Sequence, residues 1–147
     1  MKKLIVILFC IISAGTFAQK PTLTKKQQQD IFALIDNYSK AREQMDTVLL
    51  KNILTDDIDQ LVSSGEWRQG IGESVQGMLR SSSSNVGTRK IIIDKMRLLT
   101  ATSALIDARY EIQNTDGTAR KMWSTFVVVY TKPCWKIAAI RNMLPQK

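Results

Sequence analysis

Histidine is absent from the chain. That removes the usual general acid–base near neutral pH, every Ser-His or Cys-His nucleophile pair, and the commonest transition-metal ligand. Cysteine is nearly absent, with Cys10 and Cys134 the two present. No glycine-rich phosphate loop occurs, because Gly70-Ile71-Gly72 lacks a third glycine and follows no strand-to-helix crossover. No cofactor is therefore expected. The longest apolar run, Leu4 to Phe17, is about fourteen residues and falls short of the ~20 that a membrane-spanning helix needs.

That run has the form of an export signal instead. Met1-Lys2-Lys3 is a positive start, and Thr16-Phe17-Ala18 offers small groups for cleavage before Gln19. Cys10 follows Leu8-Phe9 rather than the small pair that a lipoprotein site requires. The expected organisation is a secretory signal peptide over residues 1–18 and one domain over residues 19–147, exported to the periplasm or secreted. Without Lys2 and Lys3, the 21 basic residues become 19 against 13 acidic, and the net charge of +8 falls to +6. Cys134 alone cannot make an internal disulfide, and beside Trp135 it reads as a small core-filling residue. A domain of this length buries roughly two-thirds of its surface without staples.

A pI near 9.7 suggests nucleic acid. Yet Arg89, Lys90, Lys95, Arg97, Arg120 and Lys121 are interleaved with core-type residues, and with export no nucleic-acid partner is expected. Asp56, Asp57 and Asp59 form the densest carboxylate group, but the rest of a calcium loop is missing, so no metal is expected.

The pattern runs helices first and strands afterwards. Thr24-Lys25-Lys26-Gln27 is a capping box, and Ile31, Leu34, Ile35, Tyr38, Ala41 and Met45 recur at helical spacing behind it. Asp46 caps a predicted short helix through Leu54. Ile58 to Ser63 is a predicted strand ending at Gly65, and Ile71, Val75, Met78 and Leu79 mark a third helix. Ser81 to Gly87 is expected to be a loop. Four strands follow: Arg89–Leu99, Ser103–Gln113, Arg120–Thr131 and Cys134–Met143. Asn114-Thr115-Asp116-Gly117 joins the middle pair, and Lys132-Pro133 precedes the last. The expected class is α+β, an antiparallel sheet with three helices on one face.

Tyr38, Ala41 and Asp46, then Leu54-Thr55-Asp56-Asp57, Gly65 with Gly70, and Trp135-Lys136-Ile137 stand in a familiar order. The chain from about Gln27 to Pro145 resembles the nuclear transport factor 2-like superfamily, in its SnoaL-like and ketosteroid isomerase-like branches. The resemblance implies a cone-shaped curved sheet that encloses a cavity with the helices, and frequent homodimerisation through the sheet. It places Tyr38 where ketosteroid isomerases carry an oxyanion-donating tyrosine. Counted without gaps from Asp46 through Asp56-Asp57, their general-base aspartate falls on Val62, which cannot take a proton. The scytalone dehydratase type depends on cavity histidines, and here there are none.

Strand alternation then ranks the remaining polar residues. Leu105, Asp107, Arg109 and Glu111 share one face of their strand, and Ala104, Ile106, Ala108, Tyr110 and Ile112 the other. The plainer assignment turns the second set inward. The sharper one makes Asp107 a catalytic base and Arg109 an anion partner in the cavity. Strict alternation puts Arg141 on the face of Trp135, Ile137 and Ala139, at the end of an apolar inward row. Trp67, at a strand end, would roof the cavity mouth. The expected ligand-binding set is thus Tyr38, Trp67, Arg109 and Arg141, around a small apolar molecule. Three functions remain open: a binding domain without turnover; a proton-transfer enzyme with Asp107 as base and Tyr38 or Arg141 stabilising an oxyanion; and a homodimeric interaction module.

Overall fold

A computed structural model describes residues 22–146. Residues 1–18, expected to be an export signal, and Cys10 among them, lie outside the described residues. Thr24 Oγ1 accepts a hydrogen bond from the Gln27 amide, and Gln27 Oε1 accepts one from the Thr24 amide, so the capping box opens α1 (Lys25–Gln44) as its sequence requires. The Asp46 carboxylate accepts from the Leu49 amide at 2.9 Å and starts α2 (Thr47–Ile53). β1 (Leu54–Leu61) turns through Gly65, at φ 89°, into the short β2 (Trp67–Gln69). Next comes α3 (Gly70–Ser84). Its end corrects the expected loop: Ser81 to Ser84 are helical, and Ser82 is buried. β3 (Gly87–Thr100), β4 (Ser103–Asn114), β5 (Ala119–Thr131) and β6 (Cys134–Met143) form a meander. Gly117, at φ 86°, closes the β4–β5 turn.

The sheet order is β2-β1-β6-β5-β4-β3. It is mixed rather than purely antiparallel, because β1 runs parallel to β6. A chain that leaves β1 through β2 and α3 and returns along the meander reaches β6 in that direction. Ala104, Ile106, Ala108, Phe126, Val128, Ile137 and Ile140 face the helices, where they pack with Ile31, Leu34, Ile35, Tyr38 and Leu50 into one core. Trp135 joins that core, which turns Cys134 outward; the cysteine is exposed, not core-filling.

Bulges interrupt the long strands, and two of them decide the parity of the residues discussed below. On β3, Ile93 pairs with Ala108 and Lys95 with Asp107, leaving Asp94 as the extra residue. On β6, Val128 pairs with Ile137 and Val127 with Ala139, leaving Ala138 unmatched. Because side chains alternate with period two, one inserted residue exchanges the faces beyond it. Trp135 and Ile137 point inward before the β6 bulge, and Ile140 and Asn142 after it. No helix among the described residues is long and apolar enough to cross a membrane.

Candidate functional site

The inner face changes character along its strands. β4 passes from Ala104, Ile106 and Ala108 to Tyr110, and β6 from Ile137 and Ile140 to Asn142. β5, followed backwards, passes from Val128 and Phe126 to Ser124, Met122 and Arg120, and β1 passes from Ile58 to Gln60. One end of the cone is packed solid. The other encloses a cavity of about 130 Å³, bounded by Arg42, Gln60, Val62, Arg68, Tyr110 and Asn142, with Arg120, Met122, Ile112 and three serines around them. No carboxylate lines it.

Arg42, on the last turn of α1, is the deepest charge, at 4% exposure. Its Nη1 donates to the Tyr38 hydroxyl at 2.9 Å and its Nε to Ser82 Oγ at 3.1 Å. Burial works against this charge, but the Tyr38 and Tyr110 oxygens and the Tyr38 hydrogen bond favour it, and it stays protonated. No carboxylate among the described residues pairs with it. The Tyr110 hydroxyl is buried and makes no hydrogen bond of good geometry, although the Arg89 guanidinium, whose Nε is also buried without a partner, lies close by. Burial pushes its phenol above the ordinary value, against the pull of Arg42 and Arg89, so it is a neutral donor. Asn142 Oδ1 accepts from Ser124 Oγ at 2.6 Å, which leaves the amide NH2 free to donate.

Arg68 reaches the cavity from β2. Its Nε donates to Glu66 at 2.9 Å, and that pairing holds the Glu66 carboxyl below its usual range. The Arg68 side chain lies flat over Gly77 of α3, where an added Cβ would stand 2.7 Å from Cζ. Gly77→Ala should therefore destabilise the fold by about 1 kcal/mol despite the better helix propensity of alanine, because the held guanidinium must move. Urea unfolding of the variant checks this; a gain in midpoint would contradict it.

The structure does not bring the four sequence-derived ligand residues together. Tyr38 is fully buried, edge-on to Phe126 with centroids 5.6 Å apart, and meets the cavity only through Arg42. Trp67, Arg109 and Arg141 lie on the outer face of the sheet. Arg109 forks onto Asp94, with Nη2 at 2.8 Å. Arg141 pairs with Asp59 at 2.9 Å, its guanidinium 4.8 Å from the ring centroid of Trp67, which is half exposed. Asp107 is on that outer face too, where it accepts from Thr125 Oγ1 at 3.0 Å, and its register partner is Lys95. Asp107 and Tyr38 are on opposite sides of the sheet and cannot reach one atom, which removes the proposed base. In each strand, the cavity residue is the sequence neighbour of the expected one: Arg68 for Trp67, Tyr110 for Arg109, Asn142 for Arg141. Arg42 had no sequence signal beyond a helical position, and Ser82 fell in the expected loop. Val62, by contrast, does line the cavity.

Solved structures share this architecture. A nuclear transport factor 2-like protein of unknown function from Shewanella oneidensis superposes with a TM-score of 0.68 at 17% identity, over 79% of this chain and 98% of that one. A domain of unknown function with a cystatin-like fold from Nostoc punctiforme gives 0.74 at 15%, over 85% and 81%. The chain has the nuclear transport factor 2-like fold. A third such protein, from Pseudomonas putida and also of unknown function, gives 0.72 at 13% identity over 86% and 92%. Neither a sequence-family profile nor a curated protein matches the chain. Likeness at these identities concerns architecture, and function rests on the site.

Proposed function

We propose that this chain is an exported small-molecule-binding domain of SnoaL-like form, which holds its ligand at the polar end of the cone without turning it over. One observation carries the proposal: the cavity is lined by hydrogen-bond donors and has no carboxylate, and Val62, where the resemblance to ketosteroid isomerases would put their base, is among its lining residues. The lining also replaces the expected apolar ligand with a polar one, since an apolar guest would leave Arg42 and Tyr110 unpaired. Thermal-shift screening of small polar compounds against the domain from Gln19 tests the proposal. Binders that compete with one another and lose their effect in Arg42→Met support it. A screen without any stabilising compound would count against it.

Export rests on residues 1–18, and the released protein should begin at Gln19 by N-terminal sequencing. A homodimer is a further part of the proposal. Trp123 and Met143 are register partners on the outer face, about half exposed each, and Leu105 pairs with Val127 on the same face four residues further along β5. Light scattering of the domain and of Trp123→Glu separates a dimer through this face from a monomer.

A further inference from the structure

We infer that the ligand is a small organic carboxylate, clamped by Arg42 and Tyr110 in the cavity; this rests on the binding function proposed above. The count of groups is one-sided. Arg42, Arg68, Arg120, the Tyr110 hydroxyl and the Asn142 amide all have donors at the cavity, and Glu66, the nearest carboxylate partner, is taken by Arg68. Arg120 donates to Ser63 Oγ at 2.7 Å and has no carboxylate partner among the described residues. A guanidinium as deeply buried as Arg42 is normally paired, because desolvation of an isolated ion costs several kcal/mol. Here its only side-chain partners are two hydroxyls. The missing partner is an anion.

Size and shape narrow the class. About 130 Å³ is close to the ~150 Å³ cavity that accepts benzene, so the guest has roughly five to nine non-hydrogen atoms. A flat carboxylate presents two oxygens to a planar guanidinium, the geometry that forks of this kind recognise best. The Tyr110 hydroxyl supplies a neutral donor to the same oxygens. Val62, Ile112 and Met122 line the cavity as well and fit a short apolar tail. No helix N-terminus or glycine-rich loop contributes, and those are the usual seats of a tetrahedral phosphate.

The test compares lactate, pyruvate and benzoate with their neutral amides by thermal shift and calorimetry, at constant ionic strength, with sulfate and phosphate as tetrahedral anions. At least one carboxylate should raise the melting temperature by several degrees at a concentration where its amide has no effect. Arg42→Met should abolish that shift. Tyr110→Phe provides a second variant whose folding is not at risk, since it deletes a buried hydroxyl that makes no hydrogen bond of good geometry. It should leave the free protein as stable as before, or more so, and weaken carboxylate binding about tenfold. Equal binding of acid and amide would overturn the carboxylate inference and leave the binding function intact. Binding of sulfate or phosphate alone would overturn it in favour of a tetrahedral anion. If no carboxylate, amide, tetrahedral anion or screened polar compound binds, both readings fall.

Discussion

Deletion of Ala138 together with Ala139 should abolish cooperative folding, or reduce stability by at least about 5 kcal/mol. Ala138 is the unmatched residue of β6 and Ala139 the partner of Val127, and without the pair the strand beyond would fall out of step with Trp135 and Ile137. Ile140, fully buried, would turn to the outer face, and Arg141 would take its place inside, away from Asp59. Loss of burial for one isoleucine is worth about 2 kcal/mol, and an unpaired buried charge adds about 3–5 kcal/mol. The effects act together because one register change produces both. Urea unfolding followed by circular dichroism is the measurement. Ala138→Gly, which keeps the residue count, should cost no more than about 1 kcal/mol. Deletion of Ala138 alone keeps Ile140 and Asn142 inward and should be tolerated far better, whereas a double deletion with near-native stability would show that this spacing does not set the inward face.

Phe126→Ala should cost about 3–5 kcal/mol. Phe126 is completely buried at the middle of β5, with Ile106 and Ile140 as its cross-strand neighbours and the Tyr38 ring edge-on to it. Truncation removes packing on three sides and leaves a void that α1 can close only by shifting Tyr38. The Tyr38 hydroxyl is one of two side-chain anchors of Arg42, so the cavity should loosen as well. A melting temperature lower by 10 °C or more is expected, at a nearly unchanged urea slope, since the unfolded surface differs little. A change below about 1 kcal/mol would mean that the site collapses around the missing ring.

These residues also mark what sequence could and could not convey. The capping box at Thr24, the cap at Asp46, the Asn114–Gly117 turn and the alternation in β4 each rest on neighbours within a few residues, and the elements follow them. The inward set Ala104 to Ile112 was legible for that reason. The candidate site was not, because it depends on the sum of local geometry along a strand. An alanine pair, Ala138-Ala139, gives no sign that a bulge lies there, and the bulge exchanges Arg141 for Asn142. Trp67 drew attention by size, while the short β2 turns Arg68 inward. The parallel pairing of β1 with β6 has no local signature either, since neither strand's sequence encodes the direction of its neighbour. Arg42 lay in plain view beside Ala41, but a basic residue near a helix C-terminus is ordinarily a surface group favoured by the helix dipole. Its burial is set by Ser82, forty residues later.

The proposed binding site is on the inner face, at Arg42, and not on the outer face that carries the larger and more conspicuous side chains. Arginine Nε–Hε and tryptophan indole signals report both faces in one nitrogen–proton NMR spectrum during titration with lactate or whichever screened compound binds most tightly. The account predicts that Arg42, Arg68 and Arg120 move together with saturation, along with the Asn142 side-chain amide, while Arg109, Arg141 and the Trp67 indole stay fixed. Shifts confined to Arg109, Arg141 and Trp67 would contradict it.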